Sequence, residues 1–164
     1  MNNDIRCPNF AGLFCTTPHA EAIIVGGSDY PDISGRVRFY QIAYGVIVVA
    51  ELIGLPLSTQ KCKDPIFAFH IHEGGSCTGN SEDEFADSGM HYNPMSCPHP
   101  YHAGDMPPLF GADGMAFSAF LTDRFDVKDI IGRTVIIHDA PDDFTTQPSG
   151  NAGKKIACGV VRAI

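Results

Sequence analysis

The sequence contains no tryptophan, and its 11 lysines and arginines are outnumbered by 19 aspartates and glutamates, leaving a formal net charge of −8. Nucleic acids and anionic membranes both reward a basic face, so neither is an expected partner. Long apolar runs are missing too. The longest, over 44–57, contains Glu51, Gly54 and Pro56 and is shorter than the roughly 20 residues of a membrane helix, so it is expected in the core. The first residues, MNNDIRCPNF, hold no cationic segment leading into an apolar stretch, so no secretory leader is visible. As written the chain is expected in the cytoplasm, or exported if a leader has been removed. A 3.6-residue period persists nowhere and no segment repeats, which excludes helical bundles and solenoids.

What is present is a chain of 164 residues, enough for one domain over 1–164 and too few for two comfortable ones. Short β-branched or alternating runs recur at 20–26, 33–41, 46–53, 66–72, 115–121, 134–138 and 156–164, separated by Gly, Pro and Asp turn signals. In 33–41, for example, Arg36, Arg38 and Tyr40 alternate with Val37 and Phe39. Such spacing predicts an all-β sandwich or barrel. Residues 1–19 carry Cys7, Pro8, Cys15 and Pro18 without a period and are expected as an irregular N-terminal arm. Cys7 and Cys15 there either bridge each other or are two unrelated buried thiols. Six cysteines allow three disulfides, with metal binding as the competing use.

The stretch 69–105 holds five of the seven histidines. In Phe69-His70-Ile71-His72 apolar and imidazole residues alternate, so on a strand both histidines face one side and the apolar pair the other. Two imidazoles side by side are ready nitrogen ligands. His91, His99, His102 and Asp105 follow in a Gly- and Pro-rich loop, a set of neutral nitrogens and one carboxylate that suits tetrahedral zinc. His138 ends another apolar strand and can reach the cluster once the sheet folds.

FHIHEGG at 69–75, HYNP at 91–94, HAGDMP at 102–107, GRTVIIHDAPDD at 132–143 and GNAGKKIACGV at 150–160 together resemble the copper–zinc superoxide dismutases. The likeness covers most of 67–164 and is loose before it. It implies a Greek-key β-sandwich or flattened barrel with long metal-binding and channel loops. It further implies that His70, His72, His91 and His138 ligate copper, and that His91, His99, His102 and Asp105 ligate zinc. His91 would bridge the metals as imidazolate, because a dication on each side drives off its last proton. Asp142 matches a carboxylate that links copper and zinc histidines; its plain alternative is a solvated loop acid like Asp139 and Asp143. Cys77 and Cys158 match the family's disulfide. Cys62 and Cys97 have no counterpart, and one pairing open to them is with each other.

Two departures stand out. Only two residues separate His99 from His102, a shorter zinc loop than is usual in the family. Lys155, preceded by Lys154, stands where the family commonly has an arginine that guides the anion. A lysine is a point charge without the planar fork, so it can attract superoxide but cannot dock it by two parallel hydrogen bonds. The implied activity is disproportionation of superoxide, with His91 and Lys155 as catalytic residues, by a monomer or homodimer. The alternative is a non-catalytic copper- or zinc-binding protein on the same fold. A zinc hydrolase is disfavoured, since no general base stands beside an open zinc position.

Overall fold

The computed structural model describes residue 12, residues 15–58 and residues 65–164. Its strands are β1 (Ala20–Gly26), β2 (Ser34–Ile42), β3 (Gly45–Ile53), β4 (Ile66–Phe67), β5 (Phe69–His72), β6 (Leu109–Phe110), β7 (Met115–Thr122), β8 (Thr134–His138) and β9 (Lys155–Ala163), with a short α-helical turn, α1 (Val127–Ile130), and a 3-10 turn at Ala86–Ser88. All seven expected strands are present within a residue or two. The 66–72 run is divided at Ala68, whose amide leaves the ladder to reach the Ala140 carbonyl at 2.8 Å. β6 and α1 were not foreseen. No helix among the described residues is long and apolar enough to cross a membrane.

Seven strands form one antiparallel sheet in the order β5-β8-β9-β1-β2-β3-β7. After the β1–β2–β3 meander the chain crosses to the far edge for β5, returns to lay β7 beside β3, and crosses again for β8, which are Greek-key crossovers. The sheet is curled, and its edges are laced by the small β4–β6 ladder: Ile66 pairs with Phe110 and Phe67 with Leu109. β4 leads directly into β5 at one edge, while β6 lies against β7 at the other.

Alternation fixes what fills the curl. Ile24, Val37, Phe39, Val48, Leu52, Phe69, Ile71, Val135 and Ile137 are buried inside it, each worth about 1.5–3 kcal/mol on removal from water. On the opposite face of β8 and β9, Ile136 and Cys158 pack with Phe85 and Cys77 in a satellite cluster. That cluster seats the 73–90 connection on the outside of the barrel, beside the outward side chains of β5.

Candidate metal centre

β5 builds half of the site. Phe69 and Ile71 enter the core, so His70 and His72 point outward, yet both are buried beneath the connections that fold over them. The adjacent β8 adds His138 where a bulge after Ile137 shifts the register, and its ring lies 5.0 Å from that of His70 and 5.5 Å from that of His72. His91 sits opposite His72, and Asp105 opposite His70, as isolated bridges. Between these two, Gly104 crosses β5. The Ile71 amide donates to the Gly104 carbonyl at 2.9 Å, and a Cβ on Gly104 would stand 2.2 Å from the Ile71 carbonyl oxygen. Glycine at the centre of HAGD is thus a packing requirement.

Each imidazole is oriented by the hydrogen bond of one nitrogen, which decides where the other lone pair points. His70 Nε2–H donates to Asp142 Oδ2 at 2.8 Å, His72 Nδ1–H to the Gly89 carbonyl at 2.9 Å, and His138 Nδ1–H to the Gly153 carbonyl at 3.4 Å. His70 Nδ1, His72 Nε2, His138 Nε2 and His91 Nε2 are left buried with no hydrogen-bond partner. Buried polar atoms are rarely left so. The four residues can offer ligand atoms within 4.8 Å of one another. Burial, and then the neighbouring His70, pushes His138 down to about 3; burial also lowers His70 and takes His72 well below its ordinary value. These three are therefore neutral lone-pair donors near pH 7. An all-nitrogen set of this kind fits copper in either of its biological oxidation states.

The second group is His91, His99, His102 and Asp105. His91 Nδ1 is 2.8 Å from Asp105 Oδ1, His99 Nδ1 is 3.1 Å from Oδ2, and His102 Nδ1 is 3.3 Å from Oδ1 and 3.4 Å from His91 Nδ1. A tetrahedron with ligands at about 2.0–2.1 Å has edges of about 3.3 Å, so these separations fit zinc. His91 thus presents one nitrogen to each group. Burial opposes ionisation of Asp105, but its bond from His91 together with the nearby His91, His102 and His99 rings outweighs this and lowers its pKa.

Asp142, not Asp139 or Asp143, ties the two groups together. Its Oδ2 accepts from His70, and its Oδ1 accepts from His99 Nε2–H at 2.8 Å and the Phe144 amide at 2.7 Å. Burial pushes its carboxyl up, but the bonds from His70, Phe144 and His99 prevail and hold it at about 2. Gly150 makes room: a Cβ there would lie 2.0 Å from Asp142 Oδ1 and 2.7 Å from His99 Nε2. Two supports escaped the sequence reading. The Gln147 side chain brackets the His99 backbone at 3.0 and 2.7 Å, and Arg124 Nη1 donates to the carbonyls of Pro100, His102 and Asp105 at 3.0, 3.2 and 3.1 Å. Nothing in a lone arginine after β7 announces that it clamps the short loop.

His72, His91 and His138 line an open cavity of about 700 Å³ together with Lys154 and Lys155. Lys155 reaches it with its charge already matched: Nζ is 2.8 Å from Asp83 Oδ2 and donates to the Phe85 carbonyl at 3.1 Å. The Cys77–Cys158 disulfide is formed, binding the same connection to β9. Cys15 and Cys97 are free thiols; Cys7 and Cys62, the partners considered for them, lie outside the described residues. The seventh histidine, His19, accepts from the Gln41 amide at 3.1 Å and is structural.

A family model described as copper/zinc superoxide dismutase matches residues 33–161. The chain is 33% identical over 159 residues to "Superoxide dismutase [Cu-Zn] 2" of Aquifex aeolicus, covering 88% of this chain and 85% of that one. It is 31% identical over 142 residues to "Superoxide dismutase [Cu-Zn]" of Photobacterium leiognathi, covering 78% of each. Among solved structures, the Cu/Zn superoxide dismutase from Brucella abortus shares the fold with a TM-score of 0.71 at 23% identity, over 86% of this chain and 98% of that one.

Proposed function

Because the chain belongs to the copper/zinc superoxide dismutase family, we infer that His70, His72, His91 and His138 hold its copper and that His91, His99, His102 and Asp105 hold its zinc. The enzyme converts two superoxide anions and two protons to dioxygen and hydrogen peroxide. The carrying observation is a set of four buried histidines with unpartnered ring nitrogens that can offer ligand atoms within 4.8 Å of one another, three of them lining an open cavity. We read residues 1–164 as one such domain, acting as a monomer or homodimer on a free anion, with no nucleic acid or membrane partner.

Copper supplies the one-electron couple, and zinc, which has no redox chemistry, shapes the loop. The chain's own residues do the rest. His91 has a nitrogen toward each group, so its Nε2 is the atom at which a proton is held or released during the cycle. Asp142 fixes the His70 and His99 rings with Nδ1 free, so neither can turn away when a lone pair is not engaged. The cavity admits a small anion while the folded connections exclude bulk water from the ring nitrogens. Lys154 and Lys155 are the positive side chains of its wall, and Lys155 attracts the anion with a charge that Asp83 offsets.

The test is a metal analysis and a superoxide-dismutation assay of the same sample, before and after selective removal of copper. One copper per chain with dismutation that disappears with it is the expected result. Bound copper without turnover would favour the non-catalytic metal-binding reading.

A further inference from the structure

Among the described residues, Met90 supplies the only sulfur in the wall of the cavity above the histidines. Its side chain is 52% exposed, whereas Met106 is buried in the core at 3%, so Met90 fills no gap in the packing, which is the usual work of a methionine. On an open surface a single exposed apolar side chain needs no explanation. Here the same cavity is lined by His72, His91 and His138, whose Nε2 atoms are buried without a hydrogen-bond partner. The backbone that carries the thioether is pinned beside them. The carbonyl of Gly89, just before it, accepts from His72 Nδ1–H at 2.9 Å, the Met90 carbonyl accepts from the Glu73 amide at 2.8 Å, and His91 follows in the chain. A flexible, polarizable side chain thus swings from a fixed root in the space that the three rings share.

Resting on the assignment of copper to His70, His72, His91 and His138, we propose that Met90 is a transit ligand for cuprous ion: its thioether takes Cu(I) as the ion enters or leaves the cavity and passes it to or from the ring nitrogens. Thioethers are soft donors that select Cu(I), while the carboxylates and hydroxyls of the remaining wall suit harder cations. Zinc is held by thiolate, imidazole and carboxylate, so it gains little from a thioether. The foothold therefore favours one metal, in one oxidation state, at the entrance to one of two groups that share His91. Once the ion is seated, the four histidines hold it. The thioether then lowers the barrier to exchange and leaves the final affinity alone, and by reversibility it speeds entry and release alike.

The test is Met90→Leu, which keeps an apolar side chain of similar volume and removes the sulfur; the residue is half exposed, so the fold is not at stake. The copper- and zinc-loaded protein is reduced, and transfer of its copper to a coloured cuprous chelator is followed by absorbance. Removal of copper from the oxidised protein by EDTA is the cupric control. Expected is Cu(I) transfer slower by about fivefold in the variant, the effect of about 1 kcal/mol at the transition state, with Cu(II) removal and the equilibrium Cu(I) affinity unchanged. Three outcomes overturn the proposal. Equal Cu(I) rates make the thioether a bystander, slowing of Cu(I) and Cu(II) alike makes it a steric gate, and a loss of Cu(I) affinity makes it a resident ligand. Copper content left unchanged by His138→Ala overturns the underlying copper assignment instead.

Discussion

Replacing Asp142 with asparagine tests whether one carboxylate organises both metal groups. The side chain is nearly the same size, so packing is kept, but the charge that receives two imidazole N–H groups at 2.8 Å is lost. An amide presents one oxygen and one NH2, so at least one ring then meets a donor instead of an acceptor. Hydrogen bonds to a charged group are worth about 1.5–3 kcal/mol each, which puts the loss at about 3 kcal/mol or more in the metal-free protein. For a domain of this size about 2–4 °C accompanies each kcal/mol, so its melting temperature should drop by about 6–12 °C. With one ring released to turn, copper affinity, measured by competition with a chelator, should fall 10- to 100-fold, as is usual for partners behind a ligand. The acid side follows from the same bonds. The folded carboxyl lies below its ordinary value, at about 2, so its contribution is present above about pH 4 and lost as pH falls toward 2. The asparagine variant should lack that part of the acid transition. A metal-free melting temperature within 2 °C of wild type, with copper affinity within about twofold, would refute the claim that Asp142 sets the rings.

His138→Ala should abolish dismutation while far-UV circular dichroism stays that of a folded β protein, since β8 is held between β5 and β9; near-normal turnover with copper bound would remove His138 from the site. Cys77→Ser opens a link between residues 81 apart in sequence, worth about 4.5 kcal/mol in the chain-entropy account, and a melting temperature equal to wild type under oxidising conditions would show the bridge to be inert. Arg124→Ala frees three loop carbonyls at once, so zinc affinity should fall about tenfold or more with copper affinity changed far less; equal weakening of both metals would mean that the arginine supports the fold at large.

The parts of this molecule that repeat a period were legible. Alternation in FHIH assigned Phe69 and Ile71 to the core and His70 and His72 to the opposite face, and the apolar runs located every long strand. What was not legible depends on residues distant in sequence. Asp142 differs from Asp139 and Asp143 only in what the fold puts beside it. Lys155 reads as an unpaired guide until Asp83, 72 residues earlier, is brought against it. Arg124 carries no motif, because three backbone carbonyls are a target any sequence can offer. β6 is two residues long and has too few positions to show an alternation. The division of 66–72 at Ala68 is invisible for a related reason: the amide is diverted by the chain after β8, which local propensity does not encode.

The two-residue ladder of β4 and β6 has a consequence for how the centre tolerates change. Because Ile66 pairs with Phe110 and Phe67 with Leu109, the connection from residue 73 to residue 108 leaves the barrel after β5 and re-enters it at β6, beside the β4 strand that leads into β5. Four of the seven ligand candidates, His91, His99, His102 and Asp105, hang in that bight, while His70 and His72 come from β5 and His138 from β8. Length inside the bight is thereby uncoupled from the positions of the strands outside it. Residues can be gained or lost between His99 and His102 with the slack taken up locally, under Arg124 and Gln147, while the sheet feels no pull. A shortened zinc loop is the kind of edit such a bight absorbs, and the span from 73 to 108 is the natural cassette to exchange between relatives when metal preference is to be altered and the barrel kept.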